Sequence, residues 1–186
     1  MSGASLAGKL LISSPLLRDP NFIRTVVYLC AHDDNGALGV VLNRPNPVAI
    51  EEVMPRWSPA AAEPASLFGG GPVELDSAIA LGWVTGEPGE DHAMSFVEAP
   101  IAMIDLNEEP APIMELLGAL RIFLGYAGWG AQQLEAEISE GAWHVTDARP
   151  AEVFSVTPHR LWFDVVKRQR GGIAFWSTFS DDPRTN

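Results

Sequence analysis

The chain holds one cysteine, four histidines and two tyrosines, and its 12 basic side chains are half as many as its 24 acidic ones. Each scarcity excludes something. Cys30 alone cannot close an internal disulfide, so packing and not covalent stapling must hold the fold. His32, His92, His144 and His159 show no ligand spacing, and no His-Glu-x-x-His run occurs. The Gly-x-Ser-x-Gly elbow and the Cys-x-x-Cys pair are absent as well, leaving no nucleophilic or dithiol motif. The basic shortfall gives a formal charge of -12 and a pI near 4.6, an average field that repels polyphosphate. No uncharged apolar run approaches a membrane span. Leu10-Leu11-Ile12 after Lys9 is too short, and too soon followed by Arg18 and Asp19, for a secretory signal. These absences read as a cytoplasmic protein without direct nucleic-acid or membrane partners.

What is present suffices for a core. With 186 residues, 47% hydrophobic and no break in composition, one domain over residues 1–186 is expected. The proline-rich stretch 55–64 is short enough to be a surface loop. Residues 25–30 are apolar and β-branched, 32–36 carry turn chemistry, and 38–42 are apolar again, which predicts a hairpin. Near-continuous apolarity implies strands covered on both faces. Further strands are expected at 77–84, 102–106, 120–124 and 143–146, and helices at 49–57, 112–117, 131–140 and 158–168. This order fits α+β better than repeated βαβ units.

The charged segments have plain structural readings. Thr157 and Pro158 mark a helix start, Leu161, Trp162, Val165 and Val166 form its apolar stripe, and Gly171 stops it. The cations of this run, Arg160, Lys167, Arg168 and Arg170, are read as last-turn charges that complement the helix dipole, in preference to a phosphate-binding patch. Asp33 and Asp34 beside His32 fall in a turn, where such side chains bond their own backbone instead of a metal. Glu87, Glu90, Asp91 and His92 form a solvated acidic loop. Cys30, inside an apolar strand, is expected to be buried and inert. No cofactor is implied.

The most distinctive stretch is Leu124-Gly125-Tyr126-Ala127-Gly128-Trp129-Gly130, which runs into a helix-like pattern and reads as a tight strand-to-helix junction, with Gly128 required by backbone geometry. Three blocks accompany it in order: Gly8-Lys9-Leu10-Leu11-Ile12 with Arg18-Asp19-Pro20-Asn21-Phe22 and Asn43-Arg44-Pro45; Gly69-Gly70-Gly71-Pro72-Val73; and Gln133-Leu134-Glu135 with Trp143. Together they resemble the bacterial YqgE/AlgH family, which carries a Gly-Tyr-Ala-Gly-Trp signature and whose members have been labelled transcriptional regulators. The resemblance implies an α+β fold with a largely antiparallel, curled or barrel-like β-sheet flanked by a few α-helices. One departure is Gln132, where the family usually has glycine.

The candidate ligand-binding residues are Asn43, Arg44, Gly69, Gly70, Gly71, Tyr126, Gly128 and Trp129; no catalytic or metal residue is assigned. Pro45 holds Arg44 near extended geometry, so its guanidinium is aimed at a carboxylate, with one of the protein's own many acids as the expected partner. The glycine runs serve either close packing or an anion cradle, although their spacing matches neither a dinucleotide fingerprint nor a P-loop. Two functions follow: a non-enzymatic regulatory or binding protein acting through a protein or small-molecule partner and not through DNA, or a small-molecule hydrolase or transferase with an acidic cleft.

Overall fold

A computed structural model of the chain describes residues 4–87 and 93–179. Its apolar runs build one strongly curled, largely antiparallel sheet. The strands are β1 (Lys9–Ser13), β2 (Val26–Asp33), β3 (Gly36–Val41), β4 (Pro45–Ala49), β5 (Ser66–Gly69), β6 (Val73–Val84), β7 (Met94–Glu98), β8 (Ile101–Ile104), β9 (Leu117–Gly130) and β10 (Trp143–Asp147). They run in the order β10-β1-β2-β3-β9-β6-β8-β7, with β5 parallel to β9 and β4 antiparallel to β5. The helices are short: α1 (Ile50–Val53), α2 (Pro110–Met114), α3 (Gln133–Ser139), α4 (Pro150–Val153) and α5 (Leu161–Lys167).

β2 shows why near-continuous apolarity forms a strand here. Val26, Tyr28 and Cys30 point into the hollow of the half-barrel, while Val27 and Leu29 face the opposite side against Leu134, Trp129 and Trp143. The hollow is closed by Leu161, Trp162, Val165 and Val166 of α5, and the Trp162 indole donates to the Ser13 carbonyl at 3.0 Å. The hairpin turn behaves as its composition predicts, with the Asp33 carboxylate accepting the Asn35 N–H at 2.7 Å. A separate apolar cluster joins Leu120 and Ile122 of β9 to Ala80, Ile104, Ile113, Trp57 and Ile50.

The signature stretch corrects the sequence reading. Residues 125–130 do not turn into a helix; they prolong β9 to 14 residues. The first half of β9 pairs with β6, and its last residues pair with β3, Gly39 opposite Ala127 and Gly36 opposite Gly130. One strand thus belongs to both halves of the sheet. Gly125, at φ +68, shifts the side-chain alternation by one, so Phe123 and Tyr126 both face the hollow while Ala127 and Trp129 face outward. Composition suggested a turn because glycine alternates with rings; of the three glycines only Gly125 admits neighbouring backbone, a Cβ there lying 2.5 Å from the Gly71 carbonyl oxygen, while Gly128 and Gly130 have room for a side chain. The turn proper falls at Gln132, whose backbone is left-handed at φ 60, ψ 0, a conformation that favours glycine.

The helices also start and stop differently from the periodic pattern. The expected helix at 112–117 begins at Pro110 and ends at Met114, and Leu117 already opens β9. The stretch 49–57 is helical only over α1, and 158–168 begins as a 3-10 turn, with no cap bond from the Thr157 side chain. In each case a turn or the strand that follows takes over residues whose apolar spacing alone suits a longer helix.

Candidate functional site

The predicted ligand residues separate into two groups. Asn43, Arg44, Gly69, Gly70, Gly71 and Tyr126 meet at a seam where β5 passes between the end of β3 and β9. Gly69 N–H donates to the Arg44 carbonyl, Gly70 N–H to the Leu124 carbonyl, and Val41 N–H to the Gly70 carbonyl, each at 2.8 Å. A side chain on Gly70 would strike the Gly125 carbonyl oxygen, and one on Gly71 would strike the Tyr126 backbone. These glycines therefore admit the backbone of β9.

Asn43 is buried, with both ends of its carboxamide engaged: Oδ1 accepts the Val26 N–H at 3.1 Å and Nδ2 donates to the Arg24 carbonyl at 2.8 Å. Arg44 departs from expectation. Its guanidinium donates to the Ile23 and Asn43 carbonyls and not to a carboxylate, and burial lowers its pKa. Asn43 and Arg44 thereby replace ladder bonds where β2 and β3 diverge. Tyr126 is half-buried against the hollow, and Gly128 is exposed beside the Tyr126 ring.

Trp129 lies on the opposite side of the sheet. Its indole and that of Trp143 both donate to Glu137 Oε2, at 2.9 and 2.8 Å, while Gln133 donates to Oε1 at 3.0 Å. Phe22 completes the ring cluster, its centroid 5.4 Å from Trp143. The two aromatics of the signature thus serve different faces of the sheet.

Other titratable groups are also held within the fold. His32 Nδ1 accepts the Leu6 N–H at 3.0 Å, which puts its proton on Nε2, 2.8 Å from Glu135. Cys30 is buried, and desolvation pushes its thiol up to about 12. Arg168 grips Glu152 through two nitrogens and also donates to the Asp147 carbonyl. Glu90, Asp91 and His92 of the acidic loop lie outside the described residues.

Sequence reasoning missed two features. Arg121, in the middle of β9, is only 1% exposed. Its guanidinium donates to the carbonyls of Glu63 at 2.7 Å, Ser155 at 3.1 Å and Val153 at 3.3 Å, and stacks over Phe68 at 4.2 Å. Burial pushes its pKa down to about 10. A lone charge within Leu120-Arg121-Ile122-Phe123-Leu124 was the available signal.

The second is a groove of about 510 Å³ beside the end of α1, with Val53, Met54, Trp57 and Leu106 among its apolar walls and Arg56 and Asn107 among its polar ones. Trp57 is buried and fixes the turn, its N–H donating to the Met54 carbonyl at 2.9 Å. Arg56 is paired with Glu109. The proline-rich stretch, expected only to be a surface loop, thus supplies one wall of a concavity. A second groove of about 440 Å³ includes Pro59, Met114 and Leu117 in its lining.

Comparison with known proteins places these features in context. Residues 10–174 match the profile of the family described as AlgH-like. A UPF0301 protein of Streptomyces coelicolor is 48% identical over 186 residues, covering 98% of this chain and 96% of the relative. A UPF0301 protein of Thermobifida fusca is 41% identical, covering 100% and 98%. The crystal structure of protein DIP2367 from Corynebacterium diphtheriae superposes with a TM-score of 0.88 at 29% identity, covering 92% of this chain and 91% of that one. The solution structure of the AlgH protein from Pseudomonas aeruginosa gives 0.66 at 30% identity, covering 98% of each.

Proposed function

The chain belongs to the AlgH-like family, and from that premise we propose that it is a non-enzymatic regulatory or binding protein that acts through a protein or small-molecule partner and not by direct contact with DNA. The observation that carries this reading is the groove beside α1. Its walls are mainly apolar, with Val53 half exposed, while its polar side chains Arg56 and Asn107 are bonded to Glu109 and Asp105, so what it offers a partner is a concave apolar surface. The conspicuous polar residues of the seam and of the ring cluster, Asn43, Arg44 and Glu137, spend their hydrogen bonds on the fold itself. The charge of -12 argues against a phosphate backbone as the partner. The paired cation Arg168 is already engaged by Glu152.

Native mass spectrometry of protein taken from its own host is the test. The expected spectrum keeps an adduct or partner mass that Val53→Glu abolishes while the fold survives, since Val53 is half exposed. A retained mass indifferent to groove substitutions would sink the reading. Anisotropy titration with genomic DNA should show no appreciable binding at physiological salt; a submicromolar, steeply salt-dependent affinity would overturn that part.

A further inference from the structure

We infer that the open edge of β6 beside α1 is a docking site for an extended, basic segment of a partner protein; the inference rests on the binding reading above and names the partner's chemistry. β8 pairs with β6 only over residues 80–83 of β6, with Ala80 opposite Ile104. Continued in that register, β8 would set residue 106 opposite Ala78. It does not continue: the Asp105 carboxylate accepts the Asn107 N–H at 2.9 Å, and this turn carries the chain away. The groove opens at that departure, with Ala78 and Leu106 both in its walls.

The strand's alternation gives the direction of the Ala78 backbone. Val84 N–H donates to the Pro100 carbonyl on the β8 side, and Thr85 N–H donates to the Leu116 carbonyl on the β9 side. Every second residue of a strand presents its N–H and C=O to the same neighbour, so Ala78 turns both toward the place that β8 has left. Ala78 is exposed, and among the described residues no backbone group meets it from that side. An extended segment can take this donor and acceptor as one further ladder pair and lay an apolar side chain against Val53, Met54 and Leu106. Main-chain pairing needs no vacant side chain in the groove, where Arg56 is held by Glu109. Charge selects the partner. Exposed Glu74 and Asp76 precede Ala78 on β6, and exposed Glu51 and Glu52 precede Val53 on α1, so a segment carrying lysine or arginine is drawn in and an acidic one is repelled.

The probes are the end-capped peptide Lys-Lys-Val-Ile-Val-Lys-Lys, its counterpart with glutamate for every lysine, and the lysine peptide with its three central amides N-methylated. Each is titrated into protein carrying methyl-labelled methionine, because Met54 lines this groove and Met114 lines the other one. The lysine peptide should shift the Met54 signal saturably and leave Met114 unmoved. The glutamate and N-methylated peptides should each bind at least about tenfold more weakly. The double variant Glu74→Gln, Asp76→Asn, at exposed positions, should weaken the lysine peptide about threefold at low salt without lowering the unfolding temperature. An unmoved Met54 signal, or equal affinity for the glutamate or the N-methylated peptide, would each overturn the assignment. A Met54 shift produced by raising the protein concentration alone would give the edge to a second copy of the chain and overturn it as well. Native mass spectrometry separates the two claims: a retained mass lost in Val53→Glu, together with no response to the lysine peptide, overturns the basic-segment assignment and leaves the binding reading standing.

Discussion

Replacing Gly125 by alanine tests the account of the signature strand, with Gly128→Ala as its internal control. The two glycines lie in the same strand and in the same motif, yet their surroundings differ. Gly125 sits at φ +68, and a Cβ there would lie 2.5 Å from the Gly71 carbonyl oxygen and 2.9 Å from that of Val73. The left-handed backbone costs an alanine roughly 1–2 kcal/mol, and relieving the clash adds roughly 1–3 kcal/mol. Gly125→Ala should therefore lose about 2–5 kcal/mol, which for a chain of this length lowers the melting temperature by roughly 5–15 °C. A Cβ on Gly128 meets only the Tyr126 ring, at 3.4 Å, and Val73 at 4.0 Å. There alanine removes unfolded-state freedom worth roughly 0.4–1 kcal/mol, so Gly128→Ala should stay within about 1 kcal/mol of wild type. This reverses the expectation, drawn from composition, that backbone geometry requires glycine at 128. Equilibrium urea unfolding gives both free energies, and calorimetry gives both midpoints. The reasoning fails if Gly125→Ala is as stable as wild type, or if Gly128→Ala loses as much as Gly125→Ala.

Three further outcomes follow from the same geometry. Gln132→Gly should raise the melting temperature by roughly 1–3 °C, because relief of a left-handed backbone outweighs the added freedom of the unfolded chain; a decrease in thermal scanning would contradict it. Glu137→Ala leaves two buried indole N–H groups without their shared acceptor and should cost about 2–5 kcal/mol, whereas Glu137→Gln should cost less than half as much; equal losses in urea unfolding would refute the shared-acceptor argument. The Cys30 thiol should label slowly in the folded protein. Because its folded pKa is raised from 9.0 to about 12, its contribution to stability is complete below pH 9 and is lost as pH rises from there toward 12, by up to about 1.4 kcal/mol per pH unit. Rapid labelling of native protein, or an alkaline stability profile unchanged in Cys30→Ala, would disprove its burial.

Much of the sheet was legible because its strands are strongly apolar. The β2–β3 hairpin, its turn and the burial of Cys30 follow from β-branched runs bounded by Asp, Asn and Gly. β1, β4, β5 and β7 were not legible: they are short, polar or broken by proline, and pairing with distant strands, not local pattern, makes them strands. The signature stretch was misread as a turn because composition does not tell a glycine that bends a chain from one that lets another chain approach. The bond partners of Arg44 and Arg121 depend on carbonyls far away in sequence, Ile23, Glu63, Val153 and Ser155, which no spacing rule reports. The groove was hidden for the same reason, since residues 53–57 meet residues 106–107 only after the sheet has curled.

That β9 joins both halves of the sheet has a consequence for how the chain is made. A ribosome finishes β3 at Val41, yet the strand that pairs with β3 along the sheet does not emerge until Gly130. At about 5–20 residues per second the interval lasts several seconds. Throughout it, a freshly made ribbon whose strands are apolar on both sides presents an unpaired edge to every other nascent chain nearby. Yield in a foreign host should therefore respond to slower initiation, lower temperature or added chaperone more than to codon choice after residue 130.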